Sequence, residues 1–173
     1  MIDIRIEELA VKGMIEPFYS DCVQPCSYDV HLGNHIKVET ELGWNDIDMS
    51  GHSDKNPLMM PPGCFVLGET LEYLRIPANV EAHLHLVSSR AREGLNHLLA
   101  GLVDCGYEGR LTLELKNSLQ FGQIPIYPGL RIAQLTFFEY ERDAGVPYSG
   151  RYFGDSSVSM AKRGTDVLDL QRP

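Results

Sequence analysis

No run in this chain approaches the roughly 18 consecutive apolar residues that a membrane-spanning helix needs. Cysteine is scarce: Cys22, Cys26, Cys64 and Cys105 are present and no CxxC pair occurs. A disulfide framework is therefore not expected. Cys22 and Cys26 can be read as half of a metal site, but isolated intracellular thiols are the better reading. The P-loop, GxSxG and HExxH patterns are missing, as is the H-x-E…P-C-x-x-C signature of zinc deaminases. Positive charge is also limited. Lys and Arg number 15 against 24 Asp and Glu, for a formal net charge of −9, which argues against a broad nucleic-acid face. An acidic protein can still hold a polyanion through local Arg, Ser and backbone N–H donors, with Mg²⁺ screening phosphates. The opening residues MIDIRIEELAVKG carry acids early and lack the apolar stretch of a signal peptide, so a cytoplasmic protein is expected.

What is present is a chain of 173 residues with 43% hydrophobic content, enough for one domain with a real core. Its 16 glycines and 10 prolines are spread along the chain, as they are where many turns separate short strands. Residues 4–13 read as a short amphipathic helix closed by Gly13, with Ile4, Leu9 and Val11 on its apolar side. From Ser27 to Leu32, Tyr28, Val30 and Leu32 alternate with polar residues, which predicts a strand. Gly33-Asn34 is expected to turn it into a second strand over 35–40. The polar stretch 43–63 reads as a long loop. Strand candidates recur at 64–69, 71–76, 80–87, 98–103, 110–116, 124–127 and 131–140, and 143–173 reads as a flexible tail. Many short strands at this spacing predict an all-β barrel or double-sheet roll with one or two short helices. One domain is expected over 1–173.

Three groups of residues can carry chemistry. Ser88, Ser89, Arg90 and Arg92 pack two hydroxyls and two guanidinium groups into five positions, a phosphate-binding combination; a solvated turn with a helical start is the plainer alternative. Asp104 sits between a predicted strand and a tight turn, where a carboxylate can face a pocket, and Tyr107 follows three residues on; a plain turn with Asp at its first position and Gly at 106 and 109 is the favoured reading of these residues alone. Glu114 lies in L-T-L-E-L-K. Leu111, Leu113 and Leu115 share one strand face and Thr112, Glu114 and Lys116 the other. If that second face is solvent, Glu114 is unremarkable; if it lines a pocket, burial makes it a general acid/base. His83 and His85 lie on one strand face as ligands can, but no third ligand follows from the spacing.

The chain resembles the dCTP deaminases, including the bifunctional dCTP deaminase/dUTPases, and more distantly the trimeric dUTPases. Four segments carry the resemblance. Q-P-C-S-Y-D-V-H-L-G at 24–33 is similar to QPxSxDxRLG, and S-S-R-A-R-E-G-L at 88–95 to SSxARxGL. A-G-L-V-D-C-G-Y-E-G-R-L-T-L-E-L at 100–115 resembles AGxxDxGxxGxxTLEL, and Y-P-G-L-R-I-A-Q-L at 127–135 resembles PGxxIxQL. The resemblance implies an all-β distorted barrel or jelly-roll of the dUTPase-like β-clip type, assembled as a homotrimer with active sites between subunits. It implies zinc-free deamination of dCTP, with Glu114 as proton shuttle. Ser88 and the Ala100 carbonyl would hold the water, and Arg92 would orient the glutamate. Ser89 and Arg90 would meet phosphate, Asp104 the sugar 3′-hydroxyl, and Tyr107 the deoxyribose. Tyr148, Arg151 and Tyr152 would touch phosphate and base from the tail, with Lys162 and Arg163 as further phosphate contacts. Mg²⁺ would bind through the triphosphate, with no protein side chain as metal ligand.

Three departures from the family pattern stand out. Leu86-Val87 stand where Gly-Arg is usual, His31 replaces an Arg, and Arg151 and Asp155 replace a tail Lys and Gln. All three reduce positive charge or neutral donors along the expected phosphate path, so a monophosphate or modified substrate is admitted. Ala100-Gly101 resembles the bifunctional branch, in which a small Gly101 leaves room for a second water and dUMP and pyrophosphate are products. A dUTP diphosphatase alone, or a non-catalytic nucleotide-binding regulatory homologue, are the alternatives.

Overall fold

A computed structural model describes residues 1–98 and 100–162; the expected phosphate contact at Arg163 falls outside them. Helix α1 (Asp3–Leu9) opens the chain and passes into a wider turn that ends where Gly13 adopts φ 101°. The buried side of this segment is Ile6, Ala10 and Met14, at i, i+4 and i+8. Ile4 and Val11, expected to face the core, are 66% and 70% exposed. The helix turns its single row of well-spaced apolar residues inward, and Ile4 and Val11 sit off that row.

Strands β1 (Ile15–Glu16) and β2 (Val23–Gln24) lead into β3 (Ser27–Thr40). β3 is one long strand. The turn expected at Gly33-Asn34 is instead a register irregularity between Leu32 and Ile36, where the strand passes from one half of the sheet to the other. A Cβ on Gly33 would lie 2.5 Å from Glu69 Cγ, so glycine serves close packing here. β4 (Gly43–Asp48) and β5 (Leu58–Met60) fall inside the stretch read as loop. β4 escapes detection because it is an exposed strand with no buried face to impose alternation. β6 (Phe65–Thr70), β7 (Tyr73–Arg75) and β8 (Val80–Leu86) follow, then helix α2 (Ser88–Arg92) and β9 (Leu95–His97). β10 (Leu102–Val103), β11 (Glu108–Gly109), β12 (Thr112–Asn117), β13 (Ile124–Ile126) and β14 (Arg131–Glu139) complete the set.

The main sheet runs β10-β8-β14-β3-β6-β12-β9, with β2 and β4 also paired to β3. Its two ends, β10 and β9, are joined by residues 98–101 alone, and four residues span at most about 14 Å. The sheet must therefore curl until its edges approach, which makes a distorted, incompletely closed barrel. The expectation of a mainly β fold with two short helices is met. Inside the curl lie Tyr28, Leu32, Leu113, Leu115, Leu135 and Phe137, none more than 1% exposed; burying each such side chain contributes about 1.5–3 kcal/mol. Asn117, wholly buried, is fully satisfied: its amide donates to the carbonyls of Met60 and Gly122 at 2.8 and 2.9 Å and its oxygen accepts from Leu119 N–H at 2.9 Å. These bonds fix the end of β12 and so the direction of its side chains. Among the described residues no helix is long and apolar enough to cross a membrane.

Candidate active site

The alternation of β12 decides the question the sequence left open. Leu113 and Leu115 point into the core. Thr112 and Glu114 point the other way, into a cavity of about 780 Å³. Apolar walls surround Glu114: Phe65 and Leu67 from β6, Trp44 from β4, and Leu98. The Trp44 and Phe65 rings meet edge to face at 5.6 Å. Burial is the cause that raises the Glu114 carboxyl above the ordinary glutamate range. The segment above it is tied to the same residue, since Leu98 N–H donates to the Glu114 carbonyl at 3.2 Å and Ala100 N–H to the Leu98 carbonyl at 2.9 Å.

Ala100, Asp104 and Tyr107 line the same cavity. Asp104 opens the expected turn: Tyr107 N–H donates to its carbonyl at 3.1 Å, and Gly106 supplies φ 83°. Tyr107 is buried and its hydroxyl donates to the Arg110 carbonyl at 2.9 Å. A Cβ on Gly101 would sit 2.8 Å from the Leu84 carbonyl oxygen, so glycine permits a close approach to β8 here.

The C-terminal segment closes the cavity from outside. Its backbone is held along β11, with Tyr148 N–H on the Cys105 carbonyl, Gly154 N–H on Glu108, and Arg110 N–H on Asp155, all at 2.7 to 2.8 Å. Tyr148, Tyr152 and Asp155 face the cavity, and the Tyr148 ring lies 5.7 Å from Tyr107. Asp155 is ion-paired with Lys162 through one oxygen, while its other oxygen is buried without a hydrogen-bond partner among the described residues. Arg151 is exposed, off the cavity, and donates to the Lys162 carbonyl at 3.1 Å.

Ser88, Ser89, Arg90 and Arg92 lie elsewhere on the single chain. They form α2, and none lines the cavity that holds Glu114. Ser88, Ser89 and Arg92 are exposed, whereas Arg90 pairs with Glu93 at 2.8 Å. His31 also lies off the cavity, bound to the buried Glu72 at 2.6 Å. His83 and His85 stack with ring centroids 6.4 Å apart, and His83 bonds Glu81 at 3.2 Å. Among the described residues no group of three or more His, Cys, Asp or Glu is arranged to hold a metal. Cys22 is buried, which pushes its thiol up to about 11.

Among the cavity residues that the sequence reading did not single out is one cation. Arg110 lines the cavity and anchors its guanidinium on the Thr70 and Leu71 carbonyls. The signal was available, because Arg110 shares the i, i+2, i+4 parity of Thr112 and Glu114.

Curled antiparallel sheets with this connectivity define a class. The fold is similar to the 2′-deoxycytidine 5′-triphosphate deaminase of Agrobacterium tumefaciens, with a TM-score of 0.67 and 22% identity, over 79% of this chain and 47% of that one. The chain thus spans about half the length of that protein. The native EIAV dUTPase is similar at a TM-score of 0.50 and 18% identity, over 79% of this chain and 92% of that one. Within this class the dCTP deaminase-like family model matches residues 2–140, and the chain belongs to that family. A "dCTP deaminase, dUMP-forming" of Corynebacterium diphtheriae is 35% identical over 88% of this chain and 87% of its own. Another, from Nanoarchaeum equitans, is 33% identical over 96% of this chain and 98% of its own.

Proposed function

We propose that this protein is a zinc-independent hydrolase that converts dCTP and water to dUTP and ammonia, and carries dUTP on to dUMP and pyrophosphate. The observation that carries this is Glu114: a carboxyl on a strand paired on both sides, raised by burial, facing a cavity large enough for a nucleoside. The names borne by relatives at 33–35% identity support the substrate and the dUMP product.

In this mechanism Glu114 takes a proton from water as the water oxygen attacks C4 of cytosine. Glu114 then delivers that proton to N3. It takes the second proton from the added hydroxyl and passes it to the amine, which leaves as ammonia as the C4 carbonyl forms. Proton shuttling of this kind contributes about 10²–10⁴-fold. The Ala100 carbonyl holds the water, Asp104 meets the sugar hydroxyl, and Tyr107 packs on the deoxyribose.

The exposed position of Ser88 and Arg92 on α2 supports a homotrimer in which each protomer lends them, with Ser89 and Arg90, to its neighbour's cavity. The chain then works as one cytoplasmic domain, 1–173, whose segment 143–173 closes over the nucleotide. Tyr148 and Tyr152 contact substrate from that segment, whereas Arg151, expected to join them, lies off the cavity. Mg²⁺ arrives with the phosphates, whose charge it neutralises. Beyond the expected binding through phosphate alone, the Asp155 oxygen that has no hydrogen-bond partner among the described residues would offer that ion a further hard donor, beside the carboxylates of Asp104 and Glu114.

Chromatography of dCTP, dCMP and dUTP incubated with enzyme and Mg²⁺ tests the assignment. Loss of dCTP with formation of dUMP is expected. Turnover of dUTP alone, or binding without turnover, would replace it with one of the two alternatives.

A further inference from the structure

Glu69 and Thr112 are directly opposite in the β6–β12 ladder. Each reaches out of the barrel to the C-terminal segment, and they take successive backbone amides. Val158 N–H donates to Glu69 Oε2 at 3.0 Å, and Ser159 N–H donates to Thr112 Oγ1 at 3.1 Å. The next residues of the segment, Met160 and Ala161, form cavity wall together with Ser159. Glu69 itself does not line the cavity. It is 4% exposed, and its other oxygen accepts from His35 N–H at 3.3 Å and contacts His35 Nδ1 at 3.1 Å. A buried carboxylate is costly unless its oxygens are bonded, so half of its satisfaction comes from the closed segment.

We infer that Glu69 is a positioning residue, the latch that holds the C-terminal segment closed over the cavity, with Thr112 as its second contact. Gly33 belongs to the same device, because a side chain there would collide with the Glu69 carboxylate: its Cβ would lie 2.9 Å from Oε1. Further upstream the segment is held by backbone bonds to Glu108 and Arg110. At 158 and 159, next to the cavity wall, two barrel side chains take over. The assignment of a role in catalysis rests on the nucleotide reading above; the latch itself does not.

Limited trypsin digestion of the full chain reports on the latch directly, since Arg151 and Lys162 are cleavage sites on either side of it. Glu69→Ala is expected to speed cleavage at Arg151 by roughly tenfold or more, as loss of a charge-assisted hydrogen bond predicts. Glu69→Gln, whose amide oxygen still accepts from Val158, restores most of the protection. Thr112→Val removes the second contact and speeds cleavage in the same direction. With dCTP and Mg²⁺, Glu69→Ala raises KM while kcat stays within about twofold, because the carboxylate acts on closure and not on the reacting atoms. Cleavage of Thr112→Val at the wild-type rate overturns the proposal even if Glu69→Ala does not fold, and so does a kcat loss at unchanged KM in Glu69→Ala. A wild-type protein that turns over no nucleotide ends the functional reading, while the digestion still decides the latch.

Discussion

His31 Nδ1 lies 2.6 Å from Oε1 of Glu72, and the second Glu72 oxygen accepts the backbone N–H of His31 at 2.9 Å. Glu72 is 0% exposed, so a fully buried carboxylate in the bend between β6 and β7 takes both of these bonds from one residue. Removing the imidazole leaves one oxygen of a buried group without its partner, while the backbone N–H of residue 31 keeps the other, and costs about 1–3 kcal/mol. His31→Ala is therefore expected to lower unfolding stability in urea by about that amount. Nucleotide binding by the folded fraction should be unchanged, because His31 is outside the cavity. A nucleotide-specific defect at full stability would return His31 to the phosphate path.

Glu114 gives a pH dependence whose sign is fixed. Burial raises its carboxyl in the folded chain above the unfolded value of 4.5. The ionised form is the penalised one, so this contribution to stability is fully present below the unfolded value and is lost as pH rises through the folded value. Glu114→Gln removes the penalty. Its melting temperature is expected to exceed that of the wild type at pH 8, and the gap should close near pH 4. The acid limb of kcat/KM should also lie above the ordinary glutamate range, since the base must be ionised to accept a proton. Melting curves that differ equally at both pH values would contradict the burial argument.

The separation of α2 from the cavity yields a complementation test. Glu114→Gln and Arg92→Ala are each expected to be nearly inactive as pure proteins. Co-refolded in equal amounts, they should recover activity, because some sites pair an intact Glu114 with an intact Arg92 from the neighbour. For random cyclic assembly that is roughly a quarter of the sites. No recovery in a mixture shown to exchange subunits would contradict a shared site.

Asp155 predicts how the reaction depends on Mg²⁺. Asp155→Asn removes the hard anionic donor and its pairing with Lys162. The Mg²⁺ concentration for half-maximal turnover of dCTP should rise about tenfold. A magnesium titration superimposable on the wild type would show that the carboxylate serves Lys162 alone.

Much of this arrangement was legible in the sequence wherever burial imposes a period. The alternation of Leu113, Glu114 and Leu115 gave the strand and its two faces, and Gly13 marked the end of the first helical segment. Which face met solvent was not legible, because a polar face lining a cavity has the same pattern as one facing water. β4 was invisible for a related reason: an exposed strand carries no hydrophobic alternation. The continuation of β3 through Gly33 was hidden because glycine signals a turn locally, whereas its role there is steric, against Glu69 from a strand more than thirty residues away. Glu69 meets the C-terminal segment through another long-range contact, which no local pattern encodes.

The most direct test is the rate of ammonia release from dCTP by the wild type and by Glu114→Gln at saturating Mg²⁺. The wild type is expected to release ammonia and form uracil nucleotides, and the variant to be slower by about 10²–10⁴-fold while still binding dCTP. Ammonia release by Glu114→Gln at the wild-type rate would contradict the account.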